Sequence, residues 1–185
     1  MVWNHVITQK ISDRAGFIDT AIALDLMPKE AYEKEKSAPG RVSTILNFFL
    51  FNDERCELYI PACYKEEAEF AMLNVKHDRD IKITGKDFSG LGKTVHEERV
   101  FDFAKVVRAN VSSIGKGFDE YLDGFLKTAE DNGHVVLQMF INAADSGVGA
   151  AIEKLRERLF LWRFPPQVVW CGWIPDAEKL CCSRF

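Results

Sequence analysis

The run Ser112-Ser113-Ile114-Gly115-Lys116-Gly117 holds the residues of this chain best placed to bind a ligand through backbone groups. Two glycines one residue apart let the backbone turn tightly and bring several N–H groups against one bound group. A helix that starts near Gly117 adds the positive end of its dipole. Such a turn suits a phosphate or pyrophosphate, and Lys116 supplies a point charge. The structural alternative is a helix start that uses glycine for its shape alone. A second run, Gly90-Leu91-Gly92-Lys93-Thr94, ends like a Walker A motif, but Asp87 stands where the pattern needs its first glycine. A carboxylate there would face the phosphates, which leaves a lysine-containing surface loop.

For proton transfer the sequence offers Glu98 and Asp102, grouped with His96 and Glu97 at the start of a strand-like run. A solvated, charged strand entrance is the structural alternative. His77-Asp78-Arg79-Asp80 reads as a polar loop, and His134 follows a helix end, where it caps carbonyls. No G-x-S-x-G, H-E-x-x-H or D-x-D-x-D-G pattern occurs, so those hydrolase and metal chemistries fall away. The five cysteines are odd in number and form no C-x-x-C, which argues against a disulfide framework. Cys56 and Cys63 lack the histidines of a zinc site, so no metal is expected. Cys171 shows no activating neighbour in sequence. Trp162, Trp170 and Trp173 read as aromatic core, with the wall of a ligand pocket as the alternative.

The elements that must position these residues follow from periodicity. Val106 to Ser112 reads as a strand. Phe118, Tyr121, Leu122, Phe125, Leu126 and Ala129 recur on one helical face, with Gly133 just past the helix end. Val135 to Ile141 is a continuous apolar run, as for a strand buried on both faces. Strand, helix and strand in that order predict a βαβ unit with parallel strands. Asp145 or Ser146 caps a further helix through Val148, Ala151, Ile152, Leu155 and Leu159. Upstream, Val42–Phe51 and Cys56–Ile60 read as strands that pair as a hairpin through Asn52-Asp53-Glu54-Arg55. Pro61 then opens a helix whose face is Tyr64, Ala68, Ala71, Met72 and Val75, and Ile81-Lys82-Ile83 suggests a short strand. Val168–Trp173 and Leu180–Phe185 are expected closing strands. The class is α/β (mixed α+β), a mixed twisted sheet flanked by helices. The charge run Glu33 to Lys36 followed by Pro39-Gly40 divides an N-terminal segment, 1–38, from a domain over 39–185.

Composition bounds the partners. The chain has 185 residues, 47% of them hydrophobic and 28% charged, an ordinary globular balance. Its net charge of -4 leaves no electrostatic footprint for nucleic acid or for an anionic membrane. No apolar run reaches the ~18 residues a membrane span needs. The N-terminus lacks the pattern of a secretory signal, which reads as cytoplasmic.

The order of strand, GxG turn, helix, strand, helix and closing strands resembles the C-terminal half of the GNAT superfamily of N-acetyltransferases. In that family a [Q/R]-x-x-G-x-[G/A] turn holds the pyrophosphate of acetyl-CoA. The corresponding residues here are Ser112, Gly115 and Gly117, with Ser112 in place of Gln or Arg. Asn4-His5-Val6-Ile7-Thr8-Gln9-Lys10, followed by Ala15-Gly16-Phe17, is similar to the end of a GNAT domain. Leu58-Tyr59-Ile60-Pro61-Ala62-Cys63-Tyr64 is similar to a Y-[I/V]-P-x-x-Y stretch in longer bacterial proteins with tandem GNAT-like domains. Asn142 through Leu159 to Pro165 resembles their degenerate second domain. The resemblance implies an acyl-CoA-dependent N-acetyltransferase acting on a small-molecule or peptide amine held near splayed strands. It implies acetyl-CoA bound over Ser112, Ser113, Ile114, Gly115, Lys116, Gly117 and Phe118, with Glu98 or Asp102 as base. It further implies that Gly115→Asp abolishes CoA binding while folding survives. The family's tyrosine acid is missing, since no tyrosine follows Tyr121. The alternative is a catalytically inactive GNAT-like module for ligand sensing or protein interaction. Long apolar strands near the C-terminus offer pairing across a homodimer.

Overall fold

The computed structural model describes residues 5–32, 40–49, 56–74, 79–85 and 92–158. Outside them lie the breaker over 33–39, the turn over 52–55, Asp87 with the run to residue 91, the tryptophan cluster, Cys171 and both closing strands. The fold is mixed α/β, as the alternation of periods predicts. Helix α1 spans Val6–Arg14, capped by His5, whose Nδ1 accepts from the Thr8 N–H. Gly16, with a left-handed φ of +83°, ends it ahead of Phe17. Strand β1, Ile18–Met27, follows and pairs antiparallel with β2, Val42–Phe48.

Strand β3, Cys56–Pro61, leads through α2, Lys65–Asn74, to β4, Arg79–Thr84. The expected hairpin of β2 with β3 is corrected here. β2 takes β1, and β3 takes β4 in parallel, Cys56 opposite Arg79 through Pro61 opposite Thr84. The reason lies in α2, which as a crossover returns the chain in the direction it left. Tyr64 and Ala68 of the expected helical face are buried.

Strands β5 (Val95–Phe101), β6 (Val106–Ser113) and β7 (Val136–Ile141) form the third sheet in that order. β5 runs antiparallel to β6, and β6 runs parallel to β7. Helix α3, Phe118–Asp131, joins β6 to β7, which completes the expected βαβ unit. The helix ends at Gly133, at φ +61°, with the His134 N–H donated to Ala129 O at 2.9 Å. Val135 is 61% exposed, so the buried apolar run starts one residue later than its composition suggests.

Register sorts the sheet's side chains. Val107, Ala109 and Val111 share one face with Met139 and Ile141 and pack with Phe118, Leu122 and Phe125 of α3. The opposite face carries Val106, Arg108 and Gln138 and meets the β1–β2 ribbon, where Leu26 packs with Ala104, Val106 and Val136. Helix α4, Val148–Arg158, packs on β3 and β4. Tyr59 N–H donates to Ala143 O at 2.7 Å, which ties β3 to the segment after β7. Among the described residues no helix is long and apolar enough to cross a membrane.

Candidate functional site

The turn from Ser112 to Phe118 lies between β6 and α3, where its sequence places it. Gly117 adopts φ +88°, the left-handed conformation that glycine tolerates at least cost, and opens α3. Four N–H groups of the turn are taken by the chain itself. Ile114 N–H donates to Asp145 Oδ2 at 2.9 Å. Gly115 N–H donates to Thr94 Oγ1 at 3.1 Å, and Lys116 N–H donates to Gly92 O at 2.9 Å. Phe118 N–H donates to Gly115 O at 3.2 Å. Ser112 Oγ reaches Val95 O at 3.3 Å. Ser113 stands opposite Val95 in the ladder. Lys116 is exposed, and Ile114 and Phe118 are core residues.

Gly115 is required by packing. A Cβ there would fall on the Gly92 carbonyl, with Gly92 C at 2.6 Å. The strand entrance at Gly92–Thr94 therefore lies directly on the turn. That overturns the expectation that Gly115→Asp spares folding. The acidic side chains of Asp119 and Glu120 occupy the first turn of α3 and complement its dipole.

Beside the turn, β5 and α3 bring three polar side chains together. His96 stacks on Tyr121 with ring centroids 3.6 Å apart and planes at 21°. Burial pushes the Tyr121 phenol well above its ordinary value, and the negative charge of Glu98 pushes it further. Glu98 thus sits on the α3 side of the sheet. Asp102 lies in the turn after β5, on the wall of a cleft under the opposite face. The two expected bases are not brought together.

Sequence reasoning missed the residues that close the turn. Asp145 was legible as a helix cap, and its Oδ1 does accept the Gly147 N–H at 2.8 Å. Its second oxygen reaching Ile114, thirty-one residues earlier, depends on tertiary packing. Asn142 also had no signal. Its N–H donates to Val111 O at 2.9 Å and its Nδ2 to Ser112 O at 3.1 Å. These bonds hold β6 and β7 together at their ends, where the resemblance implies splayed strands.

Cys63 is half-buried, and burial pushes its thiol pKa up, which opposes thiolate formation. No group of His, Cys, Asp and Glu fit to hold a metal occurs among the described residues. No family model, curated protein or solved structure matches this chain.

The acetyl-CoA that the resemblance implies does not fit this turn. Four of the turn's N–H groups already have acceptors, and one of those acceptors is a carboxylate. A pyrophosphate would have to displace Asp145 and approach the Asp119 and Glu120 charges.

Proposed function

We propose that the chain is a catalytically inactive GNAT-like domain that binds a ligand without transforming it. One observation supports the loss of acetyl transfer in this reading: the N–H groups of Ile114, Gly115 and Lys116 are taken by Asp145, Thr94 and Gly92. A turn with these three donors spent on its own chain serves as a structural joint. Breaking those bonds exposes buried polar groups at a cost of ~1–3 kcal/mol each, which a pyrophosphate would have to offset.

Calorimetric titration of the full chain with acetyl-CoA and with free CoA tests this. No heat of binding at millimolar ligand is expected. Micromolar binding would overturn the reading and restore N-acetyl transfer. Glu98 beside the Tyr121 phenol would then be the first pair to mutate.

A further inference from the structure

Strand β5 is the outer strand of its sheet: β6 pairs with one side, and among the described residues nothing pairs with the other. All seven of its residues, Val95–Phe101, are exposed. An open edge presents a row of N–H and C=O groups that a further strand completes. Proline and lysine blunt such edges, and β5 has neither. Apolar side chains stand exposed toward both of its ends, Val95 at 53% and Val100 at 50%. Between them lie Glu97, Glu98 and Arg99, and these charges decide which strand can join.

We propose that β5 pairs antiparallel with β5 of a second copy across a two-fold axis at Glu98, which makes one continuous sheet of the two. An axis normal to the sheet keeps every side chain on its own face, so it passes through a residue position. Centred on Glu98, it sets Glu97 opposite the partner's Arg99, Val95 opposite the partner's Phe101 and His96 opposite the partner's Val100, each of them twice. Apolar thus meets apolar at the strand ends, and opposite charges meet near the centre. An axis at Glu97 would set Val95 against Arg99, and an axis at Arg99 would set Phe101 against Glu97. Glu97 and Arg99 already pair within the strand at 3.1 Å and stay 50% and 58% exposed. A carboxylate accepts several hydrogen bonds and a guanidinium has five donors, so the cross-strand bonds add to this pair. On the α3 face His96, stacked on Tyr121, is held ready for the partner's Val100. Like charge meets like at the axis itself, between the two Glu98 carboxylates, which weakens the pairing. Seven residues a side also fall short of the ~20–30 of a stable complex, so the dimer is weak and depends on concentration.

This pairing goes beyond the reading of the turn, and its test uses no cofactor, so the two fail independently. Sedimentation equilibrium of the full chain, from micromolar to near-millimolar concentration, is expected to show monomer passing to dimer. Glu97→Arg and Arg99→Glu each set like charges opposite one another twice and should each weaken the dimer at least tenfold. Mixed in equal amounts, the two variants should associate at least tenfold more tightly than either does alone, because every substituted position then faces its opposite charge. Glu98→Gln removes the repulsion at the axis and should tighten the dimer several-fold. If a charge-reversal variant does not fold, Glu98→Gln decides by itself. A chain monomeric at every concentration, a dimer indifferent to these substitutions, or a mixture no tighter than its parents would overturn the proposal. So would β5 amides protected from hydrogen exchange equally at all concentrations, since the edge would then be filled within one chain.

Discussion

Tyr121 shows how one residue couples its surroundings to pH. Its phenol titrates above its ordinary value because burial and the Glu98 charge both disfavour phenolate. The folded group keeps its proton where unfolded chains begin to lose theirs. Its contribution to stability is therefore full below about pH 10 and declines as pH rises beyond it. Denaturant melts between pH 8 and pH 11 should show stability falling more steeply in the native chain than in Tyr121→Phe. Parallel slopes would sink the assignment. At Gly115 the decisive contact is backbone on side chain. Gly115→Ala drives a Cβ into the Gly92 carbonyl, which cannot yield as a side-chain tip would. A loss of more than ~2 kcal/mol is expected, as for other overpacked sites. Gly117→Ala meets no neighbour and pays for left-handed strain alone, ~1–2 kcal/mol. Urea melts of the two variants rank these costs.

Among the elements, α4 is seated by shape and only trimmed by charge. Gly149 lets it approach β4 so closely that a Cβ would fall on Thr84 Oγ1 and Gly85 O. Gly149→Ala should therefore lower the melting temperature, although alanine is the better helix former. Arg158 reaches from α4 to Asp119 at 3.2 Å and to Asp123 at 2.6 Å on α3. It holds the Asp123 carboxyl below its usual range, chiefly by that hydrogen bond. Asp123 is largely exposed, so its ion pair with Arg158 should contribute little to stability. Leu155, one turn earlier on α4 and buried in the core, should cost ~2–5 kcal/mol as alanine. Thermal melts of Asp123→Ala and Leu155→Ala compare the two contributions directly.

At the scale of the molecule, the β5–β6–β7 sheet separates two environments. Its α3 face carries the core and the closed turn, and its other face carries Arg108 and the cleft. The β1–β2 ribbon covers part of that second face, and Arg41 pins it to Ala104 O. β1 lies before the boundary expected at 38/39 and β2 after it, yet they form one ribbon. Removing residues 1–38 should leave β2 without its partner, lower the melting temperature and raise binding of an apolar dye. A truncated chain as stable as the full one would show that the ribbon adds nothing to the fold.

Local pattern alone determined the βαβ unit and the mixed α/β class. Tyr121, Leu122 and Phe125 recur at helical spacing, Val136–Ile141 is a short apolar run, and Gly133 stands at a helix end. Each depends on neighbours a few residues away, which a sequence displays. β1 was not legible, because its ladder shifts register between Asp19 and Ala21 and again between Ala23 and Met27. What the glycine turn does was decided by tertiary structure. Asp145, Thr94 and Gly92 reach its N–H groups from twenty or more residues away, and the same spacing of glycines serves an open anion cradle or a closed joint. The Arg108 cleft arises likewise, since Leu26 and Ala104 become neighbours only when the ribbon folds across the sheet. Spacing sets which backbone groups a segment offers, and packing sets which of them the chain uses itself.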